Sequence, residues 1–326
     1  MIYDAVLTDF PRLKGETDDS PRIQRAIDAA ERGVLFIPKG EYEIATMLTD
    51  YNGTSIELHP NAVLKAVKEM PRILDFSNKE LYKGLNGLGD GYVHGMFIKG
   101  GIFDADGLCD CLSVAWVRHF TLSDTVLLNP KKVGLKTGDG PNGYELVATN
   151  VYVTCHKPGM AGNIGFEVKI GDSHFTDCIV VDCTIGFDIF GGSSRFTRCH
   201  VWGGPVKTPE NPEISEYLPN SVAFRVNYAS GNEHTLRECY ADTAEIGFEI
   251  HDKTRLLGCA YLNNPIFNLR DIKVIDHKAG WLDVQDGFYR IIGDKGVCYE
   301  GSGQNLCWGE NYYEKFGERQ QPEIKK

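Results

Sequence analysis

A short phrase returns about every 20 residues in the middle of the chain, and this repeat constrains the fold more than any other feature. Each copy begins with a small residue and phenylalanine, alternates apolar and polar residues, and leads into a second alternating stretch that ends in cysteine. The copies begin at Gly165, Gly186, Ala223 and Gly247, and their cysteines are Cys178, Cys199, Cys239 and Cys259. A fixed period of this length predicts stacked supersecondary units rather than one globular core.

Apolar residues occupy every second position of each phrase, which is the period of a strand with one buried face. Strands this short must pair with their copies in neighbouring units, and the result is a ladder of parallel strands. The ladder predicts two inward columns, one of cysteines and one of phenylalanines, namely Phe166, Phe187, Phe224 and Phe248. Because no helical period lies between the strands, we predict an all-β fold, a right-handed parallel β-helix.

The amino terminus predicts a capping helix followed by a strand and a turn. Ser20 is a suitable N-cap and Pro21 suits the first helical position. The residues that share one apolar face of this helix are Ile23, Ala26, Ile27 and Ala30. Residues 33–42 then read as a strand that ends in a Pro-Lys-Gly-Glu-Tyr turn.

These segments closely resemble the amino-terminal cap of the pectate-lyase-like superfamily, which has an Asp-Asp-[Ser/Thr] helix start, an Ile-Gln-x-Ala-Ile helix and a Pro-x-Gly-x-Tyr turn. Residues 100–107, Gly-Gly-Ile-Phe-Asp-Ala-Asp-Gly, resemble a strand-turn of the same superfamily. The resemblance covers nearly the whole chain and implies a parallel β-helix of a carbohydrate-active protein. It leaves the reaction open, because the superfamily includes lyases, hydrolases, transferases, epimerases and phage tailspikes.

Two well-known activities of the superfamily are disfavoured by motifs that the sequence lacks. The Asn-Thr-Asp, Asp-Asp, Gly-His-Gly and Arg-x-Lys set of polygalacturonases is missing, and so is the Asp-rich calcium cluster of pectate lyases. No catalytic residue can therefore be assigned by motif.

The repeat and its interruptions predict a single domain over residues 1–326. Residues 1–45 form the amino-terminal cap, coils run from about 50 to 300, and residues 301–326 form a carboxy-terminal cap or tail. The segment 203–221 carries four prolines and predicts an inserted surface loop that walls a binding groove.

Composition narrows the partners and the compartment. The net charge of −11 makes nucleic acid and an anionic membrane poor partners. No apolar run reaches the length of a membrane span, and no signal peptide is visible. Most of the ten cysteines sit at the same repeat position and read as a buried ladder of reduced thiols, so we expect a cytoplasmic protein. We expect no metal and no cofactor. The expected partners are an oligosaccharide and further copies of the chain, in a homotrimer or another homo-oligomer.

The outward positions of the phrase predict a candidate site. Stacking places Lys136, Glu167, Asp188, Arg225 and Glu249 in one outward column. Neighbouring rungs lie ~4.8 Å apart, so Glu167 and Asp188 become adjacent carboxylates. Two like charges this close raise the pKa of one group, which is how a general acid arises beside an ionised partner.

Other side chains complete the expected site. Lys169 and His251 fall in the next outward column, and His200 and Trp202 follow a repeat cysteine at the edge of the inserted loop. We assign Asp188, Glu167 and Glu249 to catalysis. We assign Arg225, His251, Trp202, Lys169, His200 and Lys136 to substrate binding. The alternative is a solvated polar face, in which Asp188–Arg225 and Lys136–Glu167 are surface ion pairs worth little each, and Trp202 only anchors the loop.

Three functions fit these residues. The first is a glycoside hydrolase or a related fructosyl- or glycosyl-transferring enzyme with paired carboxylates. The second is a lyase acting on uronates, with Lys169, Arg225 or His251 as the base. The third is a non-catalytic, tailspike-like solenoid that binds glycans.

Overall fold

The structure, a computed structural model, describes residues 3–50, 53–76, 92–138, 143–156, 162–203, 205–208, 211–217, 220–228, 233–262, 272–276, 282–291, 297–301, 306–309, 312–315, 318–319 and 324–325. The chain divides into two compact units. Residues 1–155 with 169–171 form the amino-terminal unit, and residues 156–168 with 172–326 form the carboxy-terminal unit. The single domain and its boundaries stay a prediction.

The amino-terminal unit is built from three ladders of parallel strands. The first contains Ala5–Val6, Val34–Ile37, Ser55–Leu58, Phe97–Lys99, Thr121–Ser123 and Val147–Thr149. The second contains Gly40–Ile44, Ala62–Ala66, Ile102–Asp104, Val126–Leu128 and Tyr152–Thr154. The third contains Leu48–Thr49, Arg72–Phe76, Asp110–Val114 and Val133–Thr137, and a short side sheet contains Val93–His94, Val117–Arg118 and Gly143–Tyr144.

One α-helix, Ser20–Ala30, packs on the first strands of this unit and confirms the predicted cap. A short 3-10 turn, Leu7–Asp9, precedes it. Its buried face consists of the four apolar residues expected from the sequence, with Ser20 beside them. The described residues include no helix with the length and hydrophobicity of a membrane span.

The predicted N-cap is wrong by one residue. Asp19 is the N-cap, and Ser20 is the first helical residue. The Ser20 hydroxyl accepts hydrogen bonds from the backbone N–H groups of Ala45 (2.9 Å) and Thr46 (3.0 Å). The Ser20 side chain therefore connects the helix to the residues that follow the strand Gly40–Ile44, and it does not cap the helix.

Three ladders also build the carboxy-terminal unit, and we call them sheets 1, 2 and 3. Sheet 1 contains Ile164–Val168, Ile185–Ile189, Val222–Val226, Ile246–Ile250, Ile272–Asp276, Val297–Gly301 and Ile324–Lys325. Sheet 2 contains His174–Thr176, Arg195–Thr197, His234–Arg237, Thr254–Leu257, Leu282–Gln285 and Leu306–Trp308. Sheet 3 contains Ile179–Val181, His200–Trp202, Tyr240–Asp242, Ala260–Leu262, Phe288–Ile291 and Tyr312–Lys315, with Glu318–Arg319 antiparallel at its end.

The phenylalanine column predicted from the repeat forms the core of this unit. Phe166, Phe187, Phe224 and Phe248 stack with ring centroids 4.7, 5.1 and 5.3 Å apart and with nearly parallel planes. All four are fully buried. Such stacking follows from parallel, in-register pairing, because identical residues then lie on successive rungs.

The cysteine column is also buried, as predicted. The Cys199, Cys239 and Cys259 thiols lie 3.3–3.5 Å from backbone oxygens of the preceding coil. These three cysteines and Cys178 are free thiols. The column therefore acts as small, weakly polar packing, which suits a narrow interior.

The insertion predicted as a loop is a β-hairpin in its described part. Pro205–Thr208 pairs antiparallel with Asn211–Tyr217. Its prolines are compatible with strands because both strands of a two-stranded ribbon are edge strands, where a missing N–H is tolerated. The prolines therefore predicted the position of the insertion correctly, but the predicted loop conformation was wrong.

His234 makes the stability of the carboxy-terminal unit sensitive to acid. Its side chain is fully buried, and neither ring nitrogen has a hydrogen-bond partner among the described residues. Burial lowers the pKa of His234 to about 4, although nearby Asp252 opposes the shift. The unfolded chain, with a histidine pKa of about 6.5, binds the proton more readily. The free energy of unfolding should therefore fall by about 3 kcal/mol as pH drops from about 6.5 to 4.

The test is urea unfolding at several pH values in this window. We expect His234→Leu to lose this part of the pH dependence, because the neutral side chain takes up no proton. Parallel pH curves for the two proteins would contradict the prediction.

Candidate functional site

Sheet 1 carries the predicted outward column in the predicted register. Glu167 pairs with Asp188, Asp188 with Arg225, and Arg225 with Glu249, on four successive strands. Phe187 and Ile189 fill the interior from either side of Asp188, so the alternation of the strand directs Asp188 to the outer face. The column therefore exists as a structural feature of the carboxy-terminal unit.

Asp188 is buried although it lies on the outer face. It is 5% exposed. Its Oδ1 accepts a hydrogen bond from the side-chain amide of Asn227 at 2.7 Å, and the Arg225 guanidinium lies 4.0 Å away. The Asp188–Arg225 ion pair of the alternative reading is present, but it is long and lies in a part-buried cluster.

Glu249 is the closer partner of Arg225. The Arg225 Nε donates to Glu249 Oε2 at 2.7 Å, and His251 Nε2 lies 3.2 Å from the other carboxylate oxygen. Both oxygens of Glu249 are thus engaged by basic side chains. Arg225 therefore lies between two carboxylates, in a short hydrogen bond to Glu249 and in a longer ion pair with Asp188.

The environment shifts the pKa values of these two carboxyls in opposite directions. Burial raises the pKa of Asp188, and the negative charges of Glu167 and Glu249 add to the rise, against the opposing effects of Asn227 and Arg225. Burial also acts on Glu249, but its hydrogen bonds to His251 and Arg225 outweigh burial and lower its pKa to about 2. Carboxyls separated in this way are the usual basis of acid and base roles.

Asn227 is a site residue that the sequence reasoning did not select. It lies two residues after Arg225, on the same outer face, and its amide also contacts the Ile189 carbonyl oxygen at 3.3 Å. The available signal was its position in the second outward column, beside His251. An amide there can hold a carboxylate in place without neutralising its charge.

Two aromatic side chains lie next to this cluster in the chain. Phe190 is 36% exposed and follows two residues after Asp188, and Tyr228 is 74% exposed and follows Asn227. Both are large apolar surfaces in contact with solvent.

The two lysines assigned to the site lie in the amino-terminal unit. Lys136 belongs to Val133–Thr137 and is in register with Ser113. The backbone N–H of Lys169 donates to the Thr137 hydroxyl at 2.7 Å. Their participation in the carboxylate site stays a prediction.

His200 and Trp202 lie on sheet 3, whereas Asp188, Arg225 and Glu249 lie on sheet 1. In sheet 3 they are in register with Tyr240 and Asp242. The His200 and Tyr240 rings stack with centroids 4.4 Å apart, and Trp202 Nε1 donates to the Thr243 hydroxyl at 3.1 Å. The structure thus separates the predicted binding residues into two clusters.

The described residues include no group of three or more histidine, cysteine or acidic side chains placed to hold a metal ion.

Comparison with known proteins identifies the fold. No protein-family model matches the sequence, and no curated protein matches it either. Solved structures do match. The Azotobacter vinelandii mannuronan C-5 epimerase AlgE4 A-module superimposes with a TM-score of 0.58 at 13% identity, over 98% of this chain and 97% of that one. The chain has a right-handed parallel β-helix fold.

Two further structures share this fold. An endo-xylogalacturonan hydrolase from Aspergillus tubingensis matches with a TM-score of 0.54 at 13% identity, over 98% of this chain and 92% of that one. The ORF18 protein of Geobacillus virus E2 matches with a TM-score of 0.63 at 16% identity. The chain covers 62% of the length of that viral protein, and 96% of this chain is matched. Identities this low show the fold alone.

Proposed function

We propose that this β-helix protein is a carbohydrate-active enzyme that cleaves or transfers a glycosidic bond at the Asp188 cluster. The observation that carries the proposal is the buried carboxyl Asp188, whose pKa is raised by burial and which lies one rung from a second carboxyl, Glu167. Glycoside hydrolysis needs a protonated carboxylic acid beside an ionised carboxylate. The fold likeness to a hydrolase and an epimerase of polysaccharides supports the same substrate class.

Asp188 is the proposed general acid. Burial favours its protonated form, so it can donate a proton to the glycosidic oxygen. Glu167, on the neighbouring rung, is the proposed nucleophile or base. A spacing of one rung, ~4.8 Å, is close to the ~5–5.5 Å between the carboxyls of retaining glycosidases. A hydrolase of this kind should retain the anomeric configuration.

Glu249 is the proposed positioning residue. A carboxylate with a pKa of about 2 is a weak base, and both its oxygens are occupied by Arg225 and His251. It therefore fixes these two side chains in the cluster, where the Arg225 guanidinium can bind substrate hydroxyls. Phe190 and Tyr228 supply apolar surface for the C–H face of a sugar ring.

A screen of neutral and uronate oligosaccharides tests the proposal. Mass spectrometry in oxygen-18 water distinguishes hydrolysis, which incorporates the label, from elimination and from transfer. We expect labelled or transferred products from at least one substrate. Unsaturated products from a uronate would instead indicate the lyase alternative.

The pH dependence of turnover should report Asp188. Because the acid must be protonated, kcat should fall as pH rises through its raised pKa. The hydrogen bond from Asn227 stabilises the ionised form, so Asn227→Ala should move this alkaline limb to higher pH. If the alkaline limb does not move in Asn227→Ala, Asp188 is not the group whose titration sets it.

A second candidate is a solenoid that binds glycans without turnover, because the fold also occurs in the tailspike of an Acinetobacter phage. Binding of an oligosaccharide with no product after prolonged incubation would support this candidate. In that case Asp188→Asn would change affinity alone.

A further inference from the structure

We propose that sheet 3 of the carboxy-terminal unit carries a second carbohydrate-binding surface, which takes a neutral oligosaccharide. It is formed by His200, Trp202, Tyr240, Asp242 and Thr243, and we call it the aromatic strip. It is additional to the proposed cleavage site, because that site lies on sheet 1.

The strip is an outward surface built from two adjacent rungs. His200 is in register with Tyr240, and Trp202 with Asp242. Between them in sequence lie Val201 and Ala241, which are buried. Strand alternation therefore turns the His200, Trp202, Tyr240 and Asp242 side chains to the outside, where they are partly exposed. Three ring systems consequently share one outer face.

A hydrogen-bond network holds these rings in place. The Tyr240 hydroxyl donates to Asp242 Oδ2 at 3.0 Å, and the Thr243 hydroxyl donates to Asp242 Oδ1 at 2.6 Å. The same threonine oxygen accepts the indole N–H of Trp202. Asp242 thus positions one ring directly and the other through Thr243. Rings fixed before binding lose little conformational freedom when a ligand arrives.

Thr243 lies in the turn that follows the Tyr240–Asp242 strand. It has φ 61°, as Asn129 and Asp182 have positive φ after the corresponding strands of other coils, and its side chain is buried. This turn places the Thr243 hydroxyl between the tryptophan and the aspartate.

The chemistry of the strip matches an uncharged sugar ring. Indole and phenol faces pack against the apolar C–H face of a pyranose. A carboxylate has about four acceptor sites, so Asp242 can accept sugar hydroxyls beside its two internal bonds. The His200 ring stacks on Tyr240 and extends the aromatic surface of the strip. The negative charge of Asp242 repels uronates, so a neutral glycan is the expected ligand.

The test uses the Asp188→Asn protein, so that no ligand is consumed. The probes for titration calorimetry are three neutral glycans, cellohexaose, xylohexaose and mannohexaose, and one uronate, hexagalacturonate. At least one neutral glycan should bind to the strip, and the uronate should not bind there. Adding Trp202→Ala should weaken neutral binding roughly tenfold or more. Thr243→Val, which keeps the shape and removes the hydroxyl, should weaken it less. Tyr144→Ala, an exposed aromatic in the other unit, should leave it unchanged.

Several outcomes would overturn the inference. The first is that none of the neutral probes binds. The second is that Trp202→Ala and Thr243→Val both bind the glycan with unchanged affinity. The third is that these variants lose an oligomeric state but keep their glycan affinity, which would make the strip an interface between copies of the chain. If Trp202→Ala does not fold, Thr243→Val decides alone. Turnover by the wild-type protein is measured separately. The proposed enzyme activity can therefore be confirmed when glycan binding at the strip is not, and glycan binding at the strip can be confirmed when the activity is not.

Discussion

Asp188→Asn should lower kcat at least about 100-fold on the true substrate, because proton donation by a positioned acid contributes about 10²–10⁴-fold. Asparagine keeps the size of the side chain and the partner role toward Asn227, but it cannot donate a carboxyl proton. Substrate affinity should change much less than kcat. The measurement is steady-state kinetics on the substrate found in the oligosaccharide screen.

A matched control separates this effect from a general loss of negative charge. Asp177 is an exposed acid of the same unit, in a surface ion pair with Arg198 at 2.7 Å. Such pairs contribute little, so Asp177→Asn should keep the wild-type kcat. Equal turnover in wild type and Asp188→Asn would remove Asp188 from the mechanism.

Phe187→Ala should cost about 3–5 kcal/mol of unfolding free energy, as is typical for a buried phenylalanine. Its ring stacks between Phe166 and Phe224 and meets Phe175 and Phe196 edge-on. The cavity cannot close easily, because the rungs above and below hold their own rings in register. Urea unfolding followed by circular dichroism measures the loss.

Two variants show whether the effect comes from the column. Phe187→Leu keeps most of the volume and should cost clearly less than Phe187→Ala. Phe190→Ala, three residues later in a partly exposed position, should change stability by a fraction of a kcal/mol. Similar losses for Phe187→Ala and Phe190→Ala would show that the buried stack contributes no more than surface packing.

The fold could be predicted because the repeat carries its own register. In a parallel ladder, like residues lie on successive rungs, so Phe166, Phe187, Phe224 and Phe248 had to stack once the strands were recognised. The same rule correctly aligned Glu167, Asp188, Arg225 and Glu249. Strand alternation also gave the face on which each of these side chains lies.

The contacts within the site could not be predicted in the same way. Alternation shows which face a residue is on, but not how far a long side chain reaches across rungs. Arg225 therefore bonds to Glu249 more closely than to Asp188. Burial of Asp188 depends on its surroundings outside the strand, which a repeat does not encode.

The sequence reasoning also placed His200 and Trp202 with the carboxylates because both follow a repeat cysteine next to the insertion. Each coil has three strands, one in each sheet. The strand of His200 and Trp202 comes directly before the strand of Arg225 in this order, so it belongs to a different sheet and a different face. The structure places these residues beside Tyr240 and Asp242. Nearness in the chain was a poor guide to nearness in space.

The most direct measurement is the titration of Asp188 and Glu249 by carbon-13 NMR of the side-chain carboxyls, assigned with Asp188→Asn and Glu249→Gln. We expect Asp188 to titrate above the ordinary value of 3.8 and Glu249 at about 2. Arg225→Met should raise the Glu249 value, because the guanidinium stabilises that carboxylate. Two carboxyls that titrate at their ordinary values, and do not respond to loss of Arg225, would contradict the proposed acid and its ionised neighbour.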